Sequence, residues 1–422
     1  MIFNRDGGRH LLSAAMLGGL LGVMMPAAAD QTSARTDATD LVDRGRYLAR
    51  AGNCVSCHTR PGGPAFAGGL AFQTKFGTLY SSNITPDPKT GIGEWSLEQF
   101  DRALREGERP NGDHLYPAFP YTAYTKLSDA DVVALYAYLK VIKPVQLTPP
   151  ANDMSFPFNQ RWTLGLWKGM FFDAARFEPD PSRSAEWNRG AYLVEGLAHC
   201  SACHSPRNFL GAERSGGAMT GGEYYDRVGS GEVRTWAAPN LTNAGNGLAS
   251  WAIDDLVAYL NTGRTSFTET HGPMNEVILN STRHLSEPDV TAMAVYLKSL
   301  PGARGDIGEP ASASVLKEGA TLYDLHCGTC HQPTGLGGSS EDAGARLAGS
   351  PVVQASHPAS LINIILYGPQ LAKLRGPKRW KDMPAFYEKL ADDEVAAIAS
   401  YIRNAWGNVG GEVTEEQVAQ QR

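Results

Sequence analysis

Cys54-Val-Ser-Cys57-His58, Cys200-Ser-Ala-Cys203-His204 and Cys327-Gly-Thr-Cys330-His331 are three copies of one five-residue pattern, and together they contain all six cysteines of the 422-residue chain. Three disulfides across two-residue gaps would leave the histidine after each second cysteine unexplained. A zinc site needs four ligands at one place, and these pairs lie far apart in the chain. Covalent haem attachment accounts for every residue of the pattern. Two thiols three positions apart form thioethers with the two vinyl groups of one haem, and the adjacent imidazole reaches the iron. The expected cofactors are three covalently bound haem c groups, held by Cys54, Cys57, Cys200, Cys203, Cys327 and Cys330, with His58, His204 and His331 on the irons.

The sequence around each copy repeats as well. Arg44-Gly45-Arg46-Tyr47-Leu48, Arg189-Gly190-Ala191-Tyr192-Leu193 and Glu318-Gly319-Ala320-Thr321-Leu322 precede the three motifs at nearly constant distance. A glycine inside a helical pattern costs about 1 kcal/mol against alanine, so its recurrence predicts a close helix crossing at that point. Downstream, Leu127 to Lys140 matches Leu285 to Lys298, and a third version runs from Leu390 to Ile402. Ser128 and Ser286 stand three residues before Asp131 and Asp289, the layout of a capping box with Asp in place of Glu. Apolar residues then recur at helical spacing. Between these ends, Asn83-Ile84-Thr85 leads to Trp95-Ser96 and a helix closing near Gly107, and Asn240-Leu241-Thr242 leads to Trp251-Ala252 and a helix closing near Gly263. The third unit has His357-Pro358-Ala359-Ser360 and a helix through Tyr367 instead. We read the Asn-x-Thr triplets as loop residues against the haem.

The expected fold class is therefore all-α, three tandem class I-like cytochrome c domains with one haem each, over residues 38–148, 182–304 and 311–408. Residues 149–181 form a linker and 409–422 a polar, flexible tail. Hydrophobic residues at 42% and charged residues at 19% exclude a disordered chain or a coiled coil. Arg5 and Arg9 precede an uncharged run from Leu11 to Met25, and Ala27-Ala28-Ala29 supplies a small-residue cleavage site, so residues 1–29 read as an export signal. Without them 36 basic residues face 43 acidic ones, a formal charge of −7, which excludes nucleic acid as a partner. No dinucleotide fingerprint, phosphate loop or nucleophile arrangement is present, and no residue is assigned a catalytic role.

The chain resembles the triheme cytochrome c subunits of bacterial membrane-associated periplasmic dehydrogenases. These accompany quinoprotein alcohol dehydrogenase, flavin-dependent gluconate, sorbitol and fructose dehydrogenases, and molybdenum hydroxylases. Besides the haem motifs, the resemblance rests on Leu115-Tyr116-Pro117-Ala118-Phe119-Pro120-Tyr121, Gly272-Pro273-Met274-Asn275-Glu276-Val277 and Met383-Pro384-Ala385-Phe386. It implies an electron relay from a catalytic dehydrogenase subunit (quinoprotein, flavoprotein or molybdenum hydroxylase) to ubiquinone or a downstream cytochrome or oxidase. The expected place is the periplasm, at the outer face of the inner membrane. It further implies Met274 and Met383 as sixth iron ligands. In the first unit Phe119 stands where methionine is expected, and phenylalanine cannot bind iron. Met154, Met170, His114 or an open position are the alternatives, with a ligand from outside the motif preferred. A Pro-Ala-Phe-Pro segment resembles the cytochromes of molybdenum hydroxylases. A free electron shuttle, or a peroxidase-type haem enzyme using an open first haem, are the competing functions. His199 and His326 are expected to cap or lie at the surface, and the aromatic segment 159–172 to pack as a linker or meet a partner or membrane.

Overall fold

The structure is a computed structural model that describes residues 29–227, 232–340, 342–369 and 380–422. The export segment read in residues 1–29 lies outside them except for Ala29. The chain divides into Met1–Asp40 and Leu41–Arg422, and the three repeated units belong to the second part.

Each unit opens and closes with a helix. The opening helices are Ala29–Ala51, Ala185–Tyr192 and Ala313–His326, and the closing ones are Asp129–Val141, Glu287–Ser299 and Asp392–Asn404. They cross at the repeated glycines. A Cβ on Gly45, Gly190 or Gly319 would stand 1.9, 1.9 or 2.1 Å from the carbonyl oxygen of Ala134, Ala292 or Ala397, well inside contact distance. The expected crossing is therefore present in all three units, and only glycine permits it.

Strands interrupt the expected all-α pattern, so the fold is mostly helical rather than purely so. β1 (Ala71–Thr74) and β2 (Gly77–Tyr80) pair antiparallel, with Ala71 opposite Tyr80, and β3 (Asp153–Met154) adds to β2 with Met154 opposite Gly77. β4 (Gly222–Arg227) and β5 (Val233–Ala238) form a second antiparallel pair with Gly222 opposite Ala238. These strands lie in loop-rich stretches whose short runs carry no clear two-residue alternation.

The first two units share one core. Leu48, Leu127, Leu135 and Leu139 pack in the same cluster as Leu193, Leu197, Val290 and Met293, whereas the third unit builds its own around Ile362, Leu366, Val395 and Ile398. A reciprocal pair of tyrosines joins the first two. Tyr192 donates its hydroxyl proton to Asp131 at 2.6 Å and accepts from the Ser128 backbone N–H at 3.1 Å. Tyr47 does the same with Asp289 at 2.5 Å and Ser286 at 3.1 Å. Each closing helix is thus capped partly by the other unit. Arg44 and Arg189 hold the same aspartates. Only half of each expected capping box forms: Ser128 and Ser286 accept from the backbone of Asp131 and Asp289. The aspartates bond arginine and tyrosine, and the serine N–H turns to the tyrosine hydroxyl. In the third unit Thr321 and Glu318 replace the tyrosine and arginine, and this unit stands outside the exchange. It attaches through Ser360, whose hydroxyl bonds the Ala237 backbone at both N and O, and Asn363, whose amide donates to the Thr235 carbonyl at 2.7 Å.

The reciprocal lock gives stability a pH dependence. Burial alone would raise the Asp289 carboxyl, but hydrogen bonds from Arg189 and Tyr47 hold it below the usual range. A carboxylate depressed in the folded state contributes fully above its unfolded value of about 3.9 and is lost as pH falls through the lower folded value. Asp289→Asn should lower the melting temperature at pH 7, with the gap from wild type closing below about pH 4. Parallel calorimetric scans across that range measure both.

One further expectation is corrected. Residues 409–422 do not fray: Val413 and Val418 enter the third core, Glu415–Ala419 forms a helix, and Arg422 bonds Asp392 at 2.5 Å. The Asn-x-Thr triplets tie each middle loop to the segment after the closing helix. Asn83 Nδ2 donates to the Val145 carbonyl and Asn240 Nδ2 to the Ala303 carbonyl, both at 2.7 Å. Among the described residues no helix is long and apolar enough to cross a membrane.

Candidate cofactor sites

Each five-residue pattern closes a helical turn just after its opening helix, Cys54–Cys57, Ser201–His204 and Gly328–His331. Residues three apart in such a turn share one side, so both thiols of a pair face the same space. None of the six cysteines is bridged. The histidine rings are fixed by backbone oxygens. His58 Nδ1 meets the Ser82 carbonyl at 2.7 Å, His204 Nδ1 that of Pro239 at 2.8 Å, and His331 Nδ1 that of Ala345 at 2.7 Å. A carbonyl only accepts, so Nδ1 carries the proton and Nε2 keeps its lone pair. That is the tautomer and the outer support that a metal-bound imidazole needs. Burial lowers the pKa of all three rings against the opposing carbonyl bonds, which keeps them neutral.

Burial pushes the thiols of Cys54, Cys57 and Cys200 up to about 12 and that of Cys327 up to about 11. Cys57 is raised further by Cys54 and Cys203, so the first and second motifs lie close together. Among the described residues no group of three or more His, Cys, Asp or Glu side chains could hold a metal ion. Yet all six cysteines and the three histidines keep part of their surface open. The chemistry of these side chains suits a haem: two thiols for its vinyl groups, one nitrogen lone pair for its iron. Trp236 Nε1, near Pro239, and Arg346 Nε, next to Ala345, are buried donors without a hydrogen-bond partner, which suit propionate carboxylates.

Met274 begins the helix Met274–Asn280 and packs on the core of the first two units; Met383 packs on the third core. Both keep part of their surface open. Phe119 lies partly buried between two apolar clusters, its ring centroid 5.4 Å from that of Tyr124. The outside candidates are engaged elsewhere. Met154 is buried in the ladder with β2, whose chain runs on to the Ser82 carbonyl on the histidine side of the first motif. Met170 leaves 60% of its surface exposed, and His114 Nδ1 meets Lys168 Nζ at 3.3 Å. His326 is exposed as expected, but His199 is half-buried and engaged by its neighbours. Its ring packs edge-on to Tyr124, with centroids 5.6 Å apart, and its Nε2 donates to the Gly52 carbonyl at 3.3 Å. The segment 159–172 folds as the helix Thr163–Phe171, whose Trp167 Nε1 donates to the Leu210 carbonyl at 3.0 Å.

Sequence reasoning misses the three carbonyls that orient the histidines, because backbone acceptors carry no residue signature. The tyrosine lock does leave a signal, the Tyr that recurs two residues after Gly45 and Gly190 and is absent after Gly319.

The chain is similar to known proteins. The cytochrome c family matches residues 42–143 and 316–406. The chain is 37% identical to the cytochrome c subunit of alcohol dehydrogenase (quinone) from Gluconacetobacter polyoxogenes, over 97% of this chain and 89% of that one. It is 39% identical to the gluconate 2-dehydrogenase cytochrome c subunit of Pantoea cypripedii, over 96% and 95%. It is 44% identical to a nicotinate dehydrogenase subunit of Pseudomonas putida over 86% of this chain, which spans only 30% of that longer protein. The chain belongs to the family of cytochrome c subunits of dehydrogenases, and its work is electron transfer.

Proposed function

We propose that this chain carries three covalently bound haem c groups and relays electrons from a catalytic dehydrogenase subunit to ubiquinone or a downstream cytochrome. Cys54 and Cys57, Cys200 and Cys203, and Cys327 and Cys330 hold the three haems. His58, His204 and His331 face the irons on one side, and Met274 and Met383 complete the second and third. When bound, the haems supply one-electron chemistry, with axial ligands and burial setting the potentials. The protein's part is to anchor, orient and shield them. The observation that carries this reading is the threefold recurrence of a thiol pair beside an imidazole whose Nδ1 is held by a backbone carbonyl.

The catalytic partner is a quinoprotein, a flavoprotein or a molybdenum hydroxylase. The likeness to the nicotinate dehydrogenase subunit, together with Phe119 in its Pro-Ala-Phe-Pro segment, supports the last. The complex works in the periplasm at the outer face of the inner membrane, after export on residues 1–29. Phe119 supports one amendment at the first haem: the side away from His58 would receive no protein ligand and stay open to a small molecule. Mild extraction of native membranes tests the assignment. The haem-stained chain should copurify with a dehydrogenase that reduces a ubiquinone analogue, whereas recovery of the chain alone in the soluble fraction would favour a free shuttle.

A further inference from the structure

The turn Ala51–Ser56, which carries the first haem-binding cysteine, is gripped from the second unit at three points. His199 Nε2 donates to the Gly52 carbonyl at 3.3 Å. Ser281 Oγ donates to the Ala51 carbonyl at 3.1 Å. Asn280 Nδ2 donates to Ser56 Oγ at 2.8 Å, and Ser56 Oγ donates in turn to Asn53 Oδ1 at 2.7 Å. All three partners lie beside the second unit's own cofactor residues. His199 directly precedes Cys200, while Asn280 and Ser281 end the helix that Met274 begins.

The local backbone is shaped for this reach. A π-helical turn, Leu193–Leu197, closes the second opening helix, and His199 follows with φ at +38°. The first and third opening helices run on as plain α-helix to Ala51 and His326. Single π turns and left-handed non-glycine residues cost energy and gather where a side chain must be aimed. Here they turn the His199 ring onto Tyr124 and Gly52.

We infer that His199, with Asn280 on the other side of the turn, is a positioning residue that clasps the first and second haem-binding motifs together and sets the rate of electron exchange between their cofactors. In that exchange one iron is oxidised and the other reduced by one electron, with no bond made or broken. The inference rests on the relay proposed above. Among the described residues the third unit bonds the second through Ser360, Asn363 and Arg346 and not at a cysteine-bearing turn, so the first two sites form the directly clasped pair.

The test uses the haem-loaded full chain. After a sub-stoichiometric electron pulse, redistribution between the first and second haems is followed optically, and magnetic coupling between them is read in the oxidised protein by electron paramagnetic resonance. In His199→Ala the redistribution rate should fall by up to about fivefold, the shift in the clasp equilibrium expected from one hydrogen bond, and the coupling should weaken. Haem content and the separate midpoint potentials should not move. His199→Gln, whose amide can still donate to Gly52, should restore most of the rate, and Asn280→Ala should slow it if His199→Ala folds poorly. An unchanged rate and unchanged coupling in these variants overturn the clasp. A wild-type protein with no redistribution would overturn the relay instead, and the coupling alone would then decide the clasp.

Discussion

Gly190→Val should destabilise the protein by about 3 kcal/mol or more and leave little haem-loaded chain, because a backbone oxygen occupies the space any side chain would need. The added Cβ would stand 1.9 Å from the Ala292 carbonyl oxygen and 2.9 Å from Tyr296 Cβ. A flexible neighbour could step aside; a helix carbonyl cannot without separating the two helices. Gly190→Ala makes the sign of the effect diagnostic. In an exposed helix that change gains about 1 kcal/mol, and here it should lose stability. The loss should spread differently from that of Gly319→Ala. Gly190 sits in the core shared by the first two units, and Gly319 crosses its partner in the separate third core. Thermal melts followed in the haem absorption band should show two haem signals disturbed in the first case and one in the second.

The second large effect concerns ligand binding. Reduced protein exposed to carbon monoxide should bind it at one haem of the three, since Phe119 offers no ligand where Met274 and Met383 are proposed to serve the other two. Methionine opposite histidine favours reduced iron, and an open position instead admits small molecules. The competing candidates are held away: Met154 in the ladder with β2, Met170 largely in solvent and His114 against Lys168. Phe119→Met should abolish the carbon monoxide response and raise the potential of the first haem. Carbon monoxide binding at none of the three haems in the unaltered protein would return a protein ligand to the first iron.

Both effects trace to residues visible in the sequence. The cysteine motifs and the repeated glycines are legible because each is a residue type tied to one geometry: a thiol pair for two vinyl groups, a missing side chain for a helix crossing. Helix caps are legible only in part. Ser128 and Ser286 cap as their positions imply, but Asp131 and Asp289 turn to arginine and to a tyrosine of the other unit. That choice depends on which helix ends meet in space. The strands hide for a related reason, because β1 and β2 are four residues each and β2 gains its second partner from the distant Asp153–Met154. His199 reads as a surface residue because nothing in its neighbours announces the π turn that redirects it. The end of the chain reads as a flexible tail because its polar residues outnumber Val413 and Val418, the two side chains that enter the third core.

The central claim is that one chain holds three working haems. Coulometric reduction of the purified protein, paired with pyridine haemochrome analysis on the same sample, measures it directly. The expected result is three haems and three electrons per polypeptide, matching the three cysteine pairs. Fewer than three haems, or a haem that takes up no electron, would contradict it.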